Sequence, residues 1–224
     1  MTENYYQAFV FDMDGTILDT IIDLEESVNQ ALISYGLKAR TKEEIISFIG
    51  NGSDKLIRRA IGKENENLFS VVFDSYYNYY SLHFSDKTTA YPGIIEALKY
   101  AKSRGIKLFV YTNKPDAVAK KLADKCFGKN FFEKIIGIPL GGVIKPDPKA
   151  YLDAIKDYHF SLDRQAYFGD STTDIETSYN IGIKNMYSVS WGYRSIECLK
   201  NFKLKPKAII NNAYEIMDVV NSLK

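Results

Sequence analysis

The feature that most constrains this chain is an alternation of short apolar runs and amphipathic stretches, broken by one long interval that is helical throughout. Ala8-Phe9-Val10-Phe11 is stopped by acidic residues and Gly15, and it predicts a buried strand. From Thr20 to Tyr35 apolar residues recur at helical spacing (Leu24, Val28, Ala31, Leu32, Tyr35), with Gly36 where a helix would end. Thr41-Lys42-Glu43-Glu44 carries the capping-box pattern. Ser53 to Ile61 predicts a further helix, and so does Leu68 to Phe84, with Phe69, Phe73, Tyr76, Tyr77, Tyr80 and Phe84 on one core-facing side. At Pro92-Gly93 the alternation resumes. Helices are expected over 92–104, 115–127, 148–158, 172–181 and 214–223, and strands over 106–111, 134–138, 166–168 and 185–189. Apolar strands separated by helices require a parallel sheet covered on both faces. The predicted fold is therefore α/β, a Rossmann-like doubly wound parallel sheet core of residues 1–17 and 85–224. An all-helical cap, residues 18–84, is inserted after its first strand.

Composition narrows the partners. The 224 residues are 46% hydrophobic and 25% charged, ordinary for a globular chain, and the formal net charge is +1. That balance offers no attraction to nucleic acid or to an anionic membrane. No apolar run is long enough to span a bilayer, and the first residues lack a basic segment followed by an apolar one. Cys126 and Cys198 stand alone, outside any metal-binding spacing, and read as free thiols. The expectation is a cytoplasmic monomer or homodimer, with no nucleic acid and no membrane as partner.

Four features fall at predicted strand ends, where doubly wound sheets bind ligands. Asp12-Met13-Asp14-Gly15-Thr16 follows the first strand. Carboxylates two residues apart at a strand end can face one centre, one attacking phosphorus and the other handling the leaving-group proton. Gly15 permits a tight turn whose amides face an anion. Thr112-Asn113 offers a hydroxyl and an amide to a phosphoryl oxygen, but taken alone it reads as a helix start, with Asn113 as cap before Pro115. In Lys145-Pro146-Asp147-Pro148 the lysine could neutralise phosphoryl charge, but taken alone it reads as a surface lysine in a proline loop. Gly169-Asp170-Ser171-Thr172-Thr173-Asp174 supplies a second metal carboxylate in Asp170. Asp174, one helical turn on, suits Lys145 or a metal-bound water, and Asp170 or Ser171 could also cap the helix.

With these four motifs in this order, the sequence resembles the haloacid dehalogenase superfamily over nearly its whole length. The resemblance implies Asp12 as nucleophile and Mg²⁺ ligand. It implies Asp14 as general acid/base that also binds the metal through its main-chain carbonyl. Thr112 and Lys145 become phosphoryl-binding groups and Asp170 a metal ligand, with Asp174, Asn113 and Gly15 in support. An acid at position 14 argues for phosphate esters, because an alkoxide leaving group needs a proton. Ile49-Gly50-Asn51-Gly52 and Trp191-Gly192-Tyr193 resemble the phosphoglycolate phosphatase branch, and the cap residues Asn51, Gly52 and Arg59 are then candidates for substrate choice. Lys55, Arg58 and Arg59 otherwise read as a solvated helix face. Trp191 to Arg194 either lines the site or turns the chain. The expected activity is Mg²⁺-dependent hydrolysis of a small phosphate monoester through an aspartyl-phosphate, with the cap opening and closing about its two linkers. A phosphosugar mutase or pyrophosphatase of the same fold, or a non-catalytic binding protein, are the alternatives.

Overall fold

The structure is a computed structural model and describes residues 5–139 and 142–222. Strand β1 (Ala8–Phe11) is buried on both sides and leads through a tight turn into β2 (Leu18–Asp19). Four helices follow: α1 (Ile21–Ser34), α2 (Lys42–Phe48), α3 (Gly52–Ile61) and α4 (Phe69–His83). Strand β3 (Thr89–Ala90) then returns antiparallel to β2. Next come α5 (Ile94–Ser103), β4 (Lys107–Pro115), α6 (Asp116–Phe127) and β5 (Lys134–Ile138). The chain continues with α7 (Lys149–Ile155), β6 (Gln165–Gly169), α8 (Thr172–Ile181) and β7 (Asn185–Val189). It closes with α9 (Ile196–Asn201), β8 (Ala208–Ile210) and α10 (Glu215–Val220).

Six strands form one parallel sheet in the order β5-β4-β1-β6-β7-β8. Alternate residues of β1 serve opposite layers, as the two-residue period of a strand demands. Phe9 and Phe11 pack with Leu98, Val110 and Phe168 on one side, while Ala8 and Val10 meet Tyr111, Tyr151, Tyr167 and Ile175 on the other. The sheet is thus covered twice, which explains the near-continuous apolar composition of its central strands. β1 lies between β4 and β6, in register from Ala8 to Phe11 with both, so residues just beyond Phe11, Val110 and Phe168 emerge side by side.

Helices α1 to α4 occupy the interval between β2 and β3. Thr41 and Glu44 form the reciprocal capping box. Residues 18–19 and 89–90 are extended, not helical, because the two chain crossings between sheet and helices pair with each other. On α4 the buried side is Val72, Tyr76 and Tyr80, whereas Tyr77 is 41% exposed: its position falls off the inward stripe of a 3.6-residue period. The segment expected as helix 148–158 is α7 followed by a 3₁₀ turn. β8 and α9 are additions that the sequence pattern does not announce. The closing helix ends at Val220, and Leu223, the expected last residue, lies outside the described residues, as do residues 1–4. Among the described residues no helix is long and apolar enough to cross a membrane.

Candidate active site

The carboxyl ends of β1, β4 and β6 converge on one cleft. It is lined by Asp12, Asp14, Thr112, Asn113, Lys145 and Asp170 from the sheet side and by Gly50, Gly52, Ser53, Tyr76 and Tyr80 from the helices. Met13 N–H (2.7 Å) and Lys145 Nζ (2.9 Å) both lie on Asp12 Oδ1. Oδ2 accepts nothing among the described residues. Lys145 is buried, and its Nζ also donates to Asp174 Oδ1 at 2.7 Å. Asp174 is fully committed: Oδ1 takes the Tyr167 phenol at 3.2 Å, and Oδ2 takes Ser171 N–H at 3.1 Å and Ser171 Oγ at 2.6 Å. Ser171, not Asp170, is the cap of α8, in a capping box with Asp174. Asp170 is thereby free to face the cleft, its Oδ2 accepting Tyr193 N–H at 2.6 Å.

These acids repel one another in a buried place. Asp12, Asp170 and Asp174 each offer a carboxylate oxygen within 4.8 Å of the others. Burial first, and then the charge of Asp174, push the Asp12 carboxyl up to about 7 despite Lys145. Burial, Asp174 and Asp12 likewise hold Asp170 well above the usual carboxylate range. Burial would depress Lys145, but the fields of Asp12 and Asp174 outweigh it and hold its ammonium well above its ordinary value. One lysine against three carboxylates leaves an excess of negative charge in hard oxygen donors. That is the donor set and the charge deficit a Mg²⁺ ion answers. Asp12 and Asp170 would hold it, because Asp174 is already taken by Lys145, Tyr167 and Ser171.

Asp14 sits at the same mouth. Its Oδ1 accepts Thr20 Oγ1 at 2.7 Å and Lys114 Nζ at 2.8 Å. Lys114 lies outside the residues the strand-end motifs name, although its spacing carries a signal. It lies two residues after Thr112 on extended chain, the same spacing that joins Asp12 to Asp14. Asn113 corrects the capping expectation. β4 runs on to Pro115 and α6 starts at Asp116 with no side-chain cap, because the chain stays extended past Thr112. The Asn113 amide instead donates to Gly50 O (2.9 Å) and Lys145 O (3.3 Å), and its Oδ1 accepts Lys145 N–H (2.7 Å).

Trp191 to Arg194 both turns the chain and lines the site. Tyr193 holds Asp170 through its N–H, and its phenol oxygen accepts Thr20 N–H at 2.9 Å. Arg194 donates to Ile46 O (2.7 Å) and Ile49 O (2.6 Å), tying the helical segment to the loop after β7. Gly52 reaches the cleft, but Asn51 and Arg59 do not line it. Arg59 donates to Phe48 O (2.7 Å) and Asn51 Oδ1 (2.9 Å), so these two side chains are spent on each other and on the α2–α3 loop. Arg58 lies on Asp54 and Glu66, on a solvated face.

Known proteins resemble this chain in sequence and in fold. The sequence profile of the haloacid dehalogenase-like hydrolases matches residues 9–187. The chain is 31% identical to the phosphoglycolate phosphatase of Mesorhizobium japonicum over 207 residues, covering 91% of this chain and 89% of that one. It is 29% identical to phosphoglycolate phosphatase 1 of Pseudomonas aeruginosa over 194 residues, covering 82% and 69%. A crystal structure from Lactobacillus delbrueckii subsp. bulgaricus, of a protein assigned as a phosphoglycolate phosphatase, superposes with a TM-score of 0.85 at 28% identity, covering 96% of this chain and 98% of that one. The chain belongs to the haloacid dehalogenase-like hydrolase family.

Proposed function

We propose that this hydrolase is a Mg²⁺-dependent phosphatase that cleaves a small phosphate monoester, phosphoglycolate or a close relative, through an aspartyl-phosphate on Asp12. One observation carries the reading: Asp12 presents an oxygen with no partner to a cleft in which Asp14, Lys145 and Asp170 converge. In the first step Asp12 Oδ2 attacks phosphorus, the bond from phosphorus to the ester oxygen breaks, and Asp14 gives that oxygen a proton. In the second, Asp14 takes a proton from water as the water oxygen attacks phosphorus. The bond from phosphorus to Asp12 then breaks and the carboxylate returns. Lys145 and Thr112 hold equatorial oxygens, where charge gathers. Asp12 and Asp170 would hold a Mg²⁺ ion, which when bound would supply the positive charge that lets two anions meet.

The helical segment, residues 18–84, serves as a cap. Its roof of Gly50, Gly52, Leu56 and Tyr80 leaves only about 50 Å³ in the cleft, space for a few groups of water size. A small leaving group suits that space. The glycolate ester named in the relatives supports the same size class. The paired linkers β2 and β3 are the natural hinge for opening and closing.

The test is turnover of phosphoglycolate with and without Mg²⁺, beside Asp12→Asn. Turnover should fall at least about 1,000-fold in the variant, in line with the loss of a covalent nucleophile, with the thermal midpoint kept. Mass spectrometry of acid-quenched wild-type protein should find one added phosphoryl group on the peptide containing Asp12. A variant retaining a tenth or more of the activity would refute the role of Asp12.

A further inference from the structure

The cleft contains two polar groups that the steps above leave without work, and both come from places the acid motifs do not reach. Lys114 is 4% exposed and uses one of its three ammonium N–H groups, on Asp14. Among the described residues its other two find no acceptor. Tyr80, from α4, is 1% exposed and its phenol oxygen has no hydrogen-bond partner, although the ring lines the cleft. The two are close: Lys114 Nζ lies 5.2 Å from the centroid of the Tyr80 ring. Burial, with Asp14 and Asp23 behind it, keeps the Tyr80 phenol pKa well above its ordinary value, so the phenol is a donor. A buried ammonium with two spare donors, beside a buried phenol with none of its bonds made, is costly unless something accepts from both. Apolar Leu24, Ile49 and Leu56 complete the wall.

We propose that Lys114 and Tyr80 form the leaving-group subsite and select esters whose leaving group carries its own anion, a carboxylate one or two carbons from the ester oxygen. Lys114 then bridges the Asp14 carboxylate and the substrate carboxylate, fixing the ester oxygen near Asp14. Tyr80 donates to the same anion from the helical side. Selection therefore lies in one residue of the sheet and one of α4, and not in Arg59, which is held by Phe48 and Asn51.

This rests on the phosphatase reading, and the experiment separates the two. With Mg²⁺ present, kcat/KM is measured for phosphoglycolate and for 2-hydroxyethyl phosphate, an ester of the same size without the carboxylate. The ratio should be about 100 in wild-type protein, because a buried donor left without its acceptor carries its full desolvation penalty. In Lys114→Met it should fall about 50-fold, and in Tyr80→Phe about fivefold through KM. A lysine that served only to position Asp14 would lower both rates together and leave the ratio unchanged. That result overturns the proposal. Should Lys114→Met fail to fold, Tyr80→Phe, which removes a single oxygen, decides: an unchanged ratio there overturns it equally. Wild-type protein that hydrolyses both esters alike keeps the phosphatase and removes the subsite, whereas hydrolysis of neither removes both.

Discussion

Asp170 owes its position to two glycines that leave it room. A Cβ at Gly15, whose φ is +79°, would stand 2.4 Å from Asp170 Oδ2, and one at Gly192 would stand 2.2 Å from Asp170 Cβ and 2.4 Å from Gly15 O. The loops after β1 and β7 can approach the end of β6 only because neither carries a side chain there. Gly192→Ala is therefore expected to displace Asp170 and cost about 100-fold in turnover. Gly36→Ala meets nothing within 4 Å. It should cost only about 1 kcal/mol of stability for its positive φ, and no activity. Thermal unfolding and a single assay of each variant check this, and equal activities would show that the close approach at Asp170 does not matter. At this scale Asp12, Asp14 and Asp170 were readable from the sequence because they follow strands closely, and Lys145 because it opens a proline-bound loop. Lys114 had only its spacing from Thr112 to mark it, Tyr193 stood in a segment that could equally turn the chain, and Thr20 had no mark, because the contacts of all three cross the fold.

The elements that join the helices to the sheet depend on one buried acid. Asp23, in the first turn of α1, accepts Lys87 N–H at 3.0 Å, Thr88 N–H at 2.8 Å and the Thr88 hydroxyl at 2.6 Å. It ties the first crossing to the second, just beside the β2–β3 pair. Replacing it by alanine leaves two backbone donors without an acceptor, so Asp23→Ala is expected to lose about 2–4 kcal/mol. Denaturant titration measures it; a loss under about 0.5 kcal/mol would mean the crossing is held elsewhere. The interlock also involves Asn113 with Gly50 and Arg194 with Ile46 and Ile49, all side chain to main chain. The helices themselves were legible as elements, from caps such as Thr41-Glu44 and from apolar spacing. Extended residues at 18–19 and 89–90 were not, because two-residue strands exist only through each other.

For the whole molecule the decisive quantity is the excess of buried negative charge at the sheet's carboxyl edge. Asp12 takes up a proton near pH 7 in the folded state instead of near 3.8, and Asp170 is shifted in the same direction. Folded protein then binds more protons than the unfolded chain between those values. The stability this provides is full below about 3.8 and is lost as pH rises through about 7. A divalent cation takes the place of those protons, so its effect has the opposite slope. Without metal the thermal midpoint should fall between about pH 5 and pH 8, and the rise on adding Mg²⁺ should be larger at pH 8 than at pH 6. Asp170→Asn should abolish most of that rise. A Mg²⁺ shift that is independent of pH would remove the carboxylate cluster as the binding site.

Local pattern alone determined the strand–helix alternation, the insertion of helices after β1 and the four motifs at strand ends. Each of these is written in the periods of 2 and 3.6 residues and in the chemistry of residues a few positions apart. The fold itself had to decide which strands neighbour β1 and that β8 extends the sheet beyond β7. It also brought Lys114, Tyr80, Tyr193 and Arg194 to the acids and turned Asn51 and Arg59 away. The reason is physical: periodicity tells a segment which face to bury, while the partner it is buried against is chosen by the packing of all the segments together.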